Sequence, residues 1–193
     1  LGAGTAALNL PYKDGKQAGL LHVDDALFQQ MREASLWGKG VSVHAIGDLA
    51  IVQVVRTVRR LRDEGFSFPE VRMEHCQFID EKTALEAQEM GIILSMQPNF
   101  SVDSTVYLDR LPRHYLELNN PFRMLIDKAG FIPGKDLLFG TDGMPHGMAA
   151  ALQASLFPPF PQQRLTLDEF IAGHCMPDKS FGQLEVEIGK NYE

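Results

Sequence analysis

The chain has 193 residues, of which 45% are hydrophobic and 22% charged, a composition typical of one globular domain with a real core. Its formal charge of -7 argues against a nucleic-acid surface, because phosphate binding requires clustered lysine and arginine. No apolar run approaches the roughly 18 residues needed to span a bilayer, and two cysteines make no disulfide framework, which favours a cytoplasmic protein.

The N-terminal part of the chain is predicted to form a loop followed by a helix and a strand. Residues 1–23 are rich in glycine, proline and small polar residues and are expected to be a leading loop. A helix is predicted to begin at Asp24 and Asp25 and to end before Gly38. The β-branched segment 41–46 follows as a buried strand, and Asp48 begins a second helix.

The same cycle of strand and helix repeats along the rest of the chain. Strands are predicted at residues 71–78, 92–96 and 137–139, and helices at about 80–90, 122–130 and 166–174, with an irregular stretch at 98–120. Alternating strands and helices indicate right-handed βαβ units, and therefore an α/β fold with a parallel sheet. The pattern alone does not distinguish one open four-stranded sheet from half of an eight-stranded barrel.

A side chain capable of binding a metal or substrate ends each predicted strand. His44 ends the first strand, Glu74 and His75 the second, Gln97 the third and Asp142 the fourth. Because ligands collect at the carboxyl ends of parallel strands, these side chains are expected to converge. Two histidines and one aspartate suit a divalent transition metal such as zinc, which lowers the pKa of a bound water while a nearby aspartate accepts its proton.

Each of these residues also has a more ordinary interpretation. A histidine at a strand end is more often packed or hydrogen-bonded than bound to metal, Asp142 fits a turn, and Asp48 fits a helix cap. The joint occurrence at successive strand ends favours a metal site. A nucleotide-binding domain is disfavoured, because no Gly-x-Gly-x-x-Gly follows any strand.

Four short motifs resemble those of the amidohydrolase superfamily and occur in the same order. They are His-Ala-Ile-Gly-Asp at 44–48, Arg-Met-Glu-His-Cys-Gln at 72–77, Ser-Met-Gln-Pro at 95–98 and Phe-Gly-Thr-Asp at 139–142. The chain is most similar to amidohydrolase family 3, in the branch that includes N-substituted formamide deformylases. The resemblance implies the C-terminal half, about strands five to eight, of a TIM (β/α)8 barrel. Residues 1–193 would then form one domain, with 176–193 a tail toward a β-sandwich.

The resemblance also implies a role for each candidate residue. His44, His75 and Asp142 would bind a divalent metal, expected to be zinc, and Asp142 would also act as the general acid/base. A further group would support these ligands or line the pocket: Asp48, Glu74, Gln97 and His146. The family's His-x-His pair is absent from the chain, and in a dinuclear site the two histidines serve one ion and the aspartate the other.

These expectations lead to one main hypothesis and one alternative. The main hypothesis is a fragment of a hydrolase that cleaves amide-type, non-peptide C–N bonds in small molecules, inactive when isolated. The unpaired edges of half a barrel would then pair with another copy or with the missing half. The alternative is a complete, non-catalytic α/β domain that acts as a binding or interaction module.

Overall fold

A computed structural model describes residues 1, 4–16, 19, 21, 23–143 and 147–175. Its strands are β1 Val41–Ala45, β2 Val71–His75, β3 Ile93–Met96 and β4 Leu137–Phe139. The α-helices are α1 Asp24–Leu36, α2 Asp48–Asp63, α3 Glu81–Glu89, α4 Asp103–Val106, α5 Arg113–Leu118, α6 Phe122–Asp127, α7 Met148–Leu156 and α8 Leu167–His174. Two 3-10 helices cover Pro98–Val102 and Pro161–Gln163. The predicted tail at 176–193 and His146 lie outside the described residues.

The four strands form one parallel sheet in the order β1-β2-β3-β4. The register pairs His44 with Glu74 and Glu74 with Ser95, so the carboxyl ends of these strands lie side by side. Each strand therefore neighbours the next one in the sequence. Because the strands are parallel, each connection runs from the carboxyl end of one strand back to the amino end of the next. This confirms the predicted α/β fold with a parallel sheet.

The described helices are stabilised by buried apolar stripes and by side-chain caps at their N-termini. Helix α2 carries a stripe of buried apolar side chains at helical spacing: Ile51, Val54, Val55, Val58 and Leu61. Asp80 caps α3, its Oδ1 accepting a 2.7 Å hydrogen bond from the backbone N of Thr83. Thr166 and Glu169 form a capping box at the start of α8. None of the described helices is long and apolar enough to cross a membrane.

The two faces of the sheet are chemically different. Alternate strand residues, among them Met73, Leu94 and Leu137, are fully buried in a core shared with α1, α2, α3 and α6. The intervening residues are exposed or half-buried, and several are polar: Ser42, His44, Arg72, Glu74 and Ser95. On that face Glu74 Oε1 accepts hydrogen bonds from Ser42 Oγ at 2.5 Å and from Arg72 Nε at 2.6 Å. We name it the polar face.

Three elements differ from the sequence-based prediction. Strand β2 was expected to reach residue 78 but ends at His75, because the left-handed φ values of His75 and Cys76, 73° and 49°, turn the chain out of the extended conformation. The stretch 98–120 is less irregular than expected, since it contains a 3-10 helix together with α4 and α5. Helix α7 was not predicted at all.

Candidate metal centre

His44 and His75 meet at the carboxyl ends of neighbouring strands. Their ring centroids lie 4.5 Å apart, and the planes cross at 73° in an edge-to-face contact. His44 projects from β1 on the polar face and is exposed, whereas His75 is only 9% exposed. His75 also stacks on Phe100, with 6.4 Å between centroids. The predicted convergence of the two histidines is therefore present in the structure.

The backbone at these strand ends adopts the left-handed conformation, which L-residues rarely adopt. Of four described non-glycine residues with positive φ, three lie here: His75 at 73°, Cys76 at 49° and Asp142 at 56°. This conformation costs an L-residue about 1–2 kcal/mol, and such residues cluster at functional sites. It turns the chain sharply after β2, and Cys76 N donates to the Ala45 carbonyl at 3.0 Å.

Gln97 contacts His75 directly. Its Oε1 lies 2.8 Å from His75 Nδ1, and the Gln97 side chain is itself buried, with 5% exposed. Gln97 directly follows β3, so its position at a neighbouring strand end explains the contact. Gln97 was expected to support the candidate ligands, and its contact with His75 Nδ1 is the way in which it can do so.

Asp142 lies within electrostatic reach of His44. Burial lowers the pKa of His44, the neighbouring His75 ring lowers it further, and the carboxylates of Asp142 and Glu74 act in the opposite direction. Asp142 itself is exposed and follows β4 by three residues. Within the described part of the chain, no three His, Cys, Asp or Glu side chains come close enough together to hold a metal ion.

Glu74 belongs to the polar face and is held by its neighbours across the sheet. Burial would raise the pKa of its carboxyl, but hydrogen bonds from Ser42 and Ser95 and the charge of Arg72 lower it. Glu74 is therefore an ionised, hydrogen-bonded member of a row of polar side chains that crosses the sheet one residue before His75.

Asp48 anchors the leading segment, by which we mean residues 4–16. Its Oδ1 accepts hydrogen bonds from the backbone N of Asn9 and of Leu49, both at 2.9 Å. The hydroxyl of Tyr115 donates to its Oδ2 at 2.9 Å. Burial, and then the Asp48 contact, raise the pKa of Tyr115 to about 12, so this phenol stays protonated. The hydrogen bonds of Asp48 thus join three parts of the chain at the start of α2.

A cluster of buried amides behind the histidines was not foreseen from the sequence. We call it the amide cluster; its members are at most 5% exposed: Gln77, Gln97, Asn99, Asn119, Asn120 and Gln163. Asn119 accepts from Gln77 at 3.1 Å, and Gln163 donates to the Asn119 carbonyl at 2.9 Å. Asn99 Nδ2 donates to the Thr141 carbonyl at 3.3 Å, one residue before Asp142. Four of the six members lie within 97–120, but the frequency of Asn and Gln in that stretch reveals no hydrogen-bond partners.

Comparisons with known proteins agree on one family. The model of the Amidohydrolase family, family 3, matches residues 1–150. The Bacillus subtilis (strain 168) protein named "Putative amidohydrolase YtcJ" is 32% identical over 132 residues, which cover 67% of this chain and 25% of that protein.

Two crystal structures of uncharacterized metal-dependent hydrolases have the same fold. The Pyrococcus furiosus protein aligns with a TM-score of 0.74 at 23% identity, over 90% of this chain and 36% of its own. The Pyrococcus horikoshii OT3 protein aligns with a TM-score of 0.64 at 23% identity, over 80% and 30%. The chain therefore spans about a quarter to a third of the length of these relatives.

Proposed function

The chain belongs to the amidohydrolase family, and from this premise we propose that it is part of a metal-dependent hydrolase of amide-type, non-peptide C–N bonds in small molecules. The observation that carries the proposal is the contact of His44 and His75 at adjacent strand ends. Because the chain spans 25% of its curated relative, the activity is proposed for a longer protein and the isolated chain is proposed to be inactive.

The donor set fits a divalent transition metal, for which we propose zinc. The imidazoles of His44 and His75, which are in contact, would provide nitrogen ligands to one ion. The Asp142 carboxylate, which does not join them in a three-ligand group, would provide oxygen ligands to the other ion of a dinuclear site. A divalent ion at this position supplies Lewis acidity, which lowers the pKa of water and polarises a carbonyl. The further ligands are proposed to come from strands outside this chain, in line with the absence of a three-ligand group among the described residues.

Asp142 is proposed to move the proton. Its carboxylate is exposed beyond the end of β4 and acts electrostatically on His44, so it borders the same space as the histidine pair. In the proposed reaction an Asp142 oxygen accepts the proton of the attacking water and returns it to the leaving nitrogen. An amine leaves more readily once protonated, so one residue acts first as a base and then as an acid.

The architecture supports a place in an eight-stranded barrel. Four parallel strands in sequential order, with helices covering one face and polar side chains on the other, correspond to half of such a barrel. The polar face would line the interior, and β1 and β4 would pair with the remaining strands. N-substituted formamides are the substrate class that we propose, by resemblance to that branch of the family.

Zinc titration of the purified chain tests the histidine pair. We expect binding in the micromolar range or weaker by calorimetry, with the heat abolished in His75→Ala and in His44→Ala. His114→Ala, which removes an exposed histidine in edge-to-face contact with Tyr115, serves as the matched control and should bind like the wild type. Unchanged binding in His75→Ala would contradict the proposed site, and submicromolar binding with hydrolysis would contradict the inactivity of the isolated chain.

The role of Asp142 is tested in the longer hydrolase that contains this chain. Asp142→Asn should lower kcat for an N-formylated amine about 10²–10⁴-fold, the usual contribution of general acid–base catalysis. Asp136→Asn, at a half-buried position just before β4, is the control and should retain activity. Full activity of Asp142→Asn would exclude this residue as the proton carrier.

A further inference from the structure

We infer that Gln97 is a positioning residue that fixes the tautomer of His75, with the proton on Nδ1 and the lone pair on Nε2. The inference rests on the proposed function, in which His75 binds a metal ion. Its basis is the 2.8 Å separation between Gln97 Oε1 and His75 Nδ1. Both side chains are at least nine-tenths buried, with 5% and 9% exposed, so water competes little for this contact.

The orientation of the Gln97 amide follows from its second neighbour. Gln97 Nε2 donates to the Ser95 carbonyl oxygen at 3.4 Å, and a carbonyl can only accept. A reversed amide would place Oε1 against that carbonyl, with two acceptors facing each other. Oε1 therefore faces His75. Because this oxygen is also only an acceptor, Nδ1 of His75 must carry the proton in the neutral ring.

The backbone of Gln97 is held by the amide cluster. Asn120 Nδ2 donates to the Gln97 carbonyl at 2.9 Å. Water does not compete for this bond, because Asn120 is 0% exposed. A second bond from the same amide group to Ser101 Oγ, at 3.1 Å, ties Asn120 to the 3-10 helix that follows β3. The amide of Gln97 is thus presented to His75 from a fixed backbone.

The chemical consequence lies at the other ring nitrogen. With Nδ1 protonated, Nε2 of His75 carries the lone pair that a divalent metal requires. A free neutral imidazole exchanges between both tautomers, so part of its population would present an N–H group and no ligand atom. Gln97 removes that population before any metal arrives, which raises the effective affinity of His75.

Nitrogen-15 NMR of the metal-free chain tests the tautomer directly. Long-range proton–nitrogen correlations at about pH 8, where histidine is neutral, should show His75 protonated at Nδ1. Gln97→Met keeps the length of the side chain but removes the acceptor, so His75 should shift toward the Nε2-protonated form. Gln97→Glu retains an acceptor and should restore Nδ1 protonation. Gln29→Met, at an exposed position of α1, is the control and should leave His75 unchanged.

Two results would overturn the inference: protonation of His75 at Nε2 in the wild type, or retention of the Nδ1-protonated form in Gln97→Met. Should Gln97→Met not fold, the wild-type spectrum still decides, because protonation of His75 at Nε2 there overturns the inference. Zinc added to the same samples should bind Gln97→Met about 10–100-fold more weakly, the usual effect of losing such a partner. Equal zinc affinity would contradict the inferred effect on binding. If the wild type binds no zinc, the proposed function fails while the tautomer result stands.

Discussion

At the scale of single residues, the hydroxyl of Tyr115 carries two hydrogen bonds that join distant parts of the chain. It accepts from the backbone N of Leu10 and donates to Asp48 Oδ2, both at 2.9 Å. Tyr115→Phe removes the acceptor of Leu10 N and the hydrogen bond to Asp48 Oδ2, while Asp48 Oδ1 keeps its bonds from Asn9 N and Leu49 N. We expect the free energy of unfolding to fall by about 1–3 kcal/mol, as measured by urea denaturation.

Tyr107→Phe is the matched control for this change. Tyr107 is half-buried in the same apolar cluster, where Arg110 packs over its ring at 4.7 Å. Its loss should change stability by less than about 0.5 kcal/mol, the usual range for sites without such a network. Equal effects of the two substitutions would mean that the Asp48 contact contributes nothing specific.

His174 gives the chain a defined dependence of stability on pH. Burial lowers the pKa of this ring, and a hydrogen bond between its Nδ1 and the Phe170 carbonyl at 2.9 Å only partly opposes that effect. The folded pKa thus lies below the value of about 6.5 expected in the unfolded chain. Above that pH the ring is neutral in both states; as pH falls below it, the unfolded chain takes up a proton first and stability is lost.

The test is thermal unfolding between pH 5 and pH 8. The wild type should lose stability on acidification, and His174→Gln, which cannot be protonated, should show a smaller loss over the same interval. His114→Gln removes an exposed histidine and should retain the wild-type slope. Identical slopes for His174→Gln and the wild type would show that His174 is not the group responsible.

At the scale of elements, the leading segment packs so closely on the start of α2 that only glycine fits at residue 47. A Cβ on Gly47 would lie 1.9 Å from the Ala7 carbonyl oxygen. Gly47→Ala must therefore displace the leading segment and break the bond from Leu49 N to Ala7 O. We expect a loss of at least about 2 kcal/mol in stability, within the range for overpacking.

Gly147 offers a control with the same role in a different place. Both glycines precede a helix in extended conformation, with φ of -75° and -67°, but an added Cβ at Gly147 meets nothing within 4 Å. Gly147→Ala thus reports the capping cost alone, and the difference in urea midpoint between the two variants reports the clash. Equal urea midpoints would mean that the leading segment moves away from residue 47 at no cost in stability.

The elements also show what the sequence could and could not reveal. Periodicity and caps predicted α1, α2 and α3 nearly to the residue, because local apolar spacing and Asp80 determine them. The early end of β2 was not predictable, since left-handed φ values at His75 and Cys76 carry no sequence signal. Helix α7, by contrast, has the alanine, leucine and methionine content that favours a helix, so the sequence does carry a signal for it.

The same distinction applies to the candidate site. The chemical type of His44, His75 and Gln97 and their positions at strand ends predicted that they would come together. The amide cluster was not predictable, because its hydrogen bonds join residues up to 62 positions apart, as between Gln163 and Ser101. Such partners depend on how 97–120 folds over the sheet, which no local pattern encodes.

At the scale of the whole molecule, the polar face, which the described elements leave partly exposed, and the two outer strands create a surface suited to association. Leu138 lies on β4, in register with Ser95 of the polar face, and is half-buried. Edge strands with unpaired backbone groups tend to pair with other chains, and a lysine on such an edge opposes this. We expect the wild type to self-associate and Leu138→Lys to reduce its mass in sedimentation toward 21.5 kDa.

Leu85→Lys is the control for that experiment. Leu85 is an exposed leucine of α3, at 47%, on the helix that connects the two inner strands β2 and β3. It gains the same charge and should leave association unchanged. A wild type that sediments as a single monomer at micromolar concentration would contradict the expectation, as would equal effects of both lysines.

The left-handed backbone of His75 implies a conflict between durability and activity. At φ 73° a glycine would be free of the strain that any L-residue bears there. His75→Gly should therefore unfold at a higher urea concentration than His75→Ala, although both lack the imidazole. The expected difference in the free energy of unfolding is about 1 kcal/mol. Selection for heat resistance alone would favour glycine at this position. A histidine at this position therefore lowers the stability of the fold, and its imidazole is retained for the proposed chemistry.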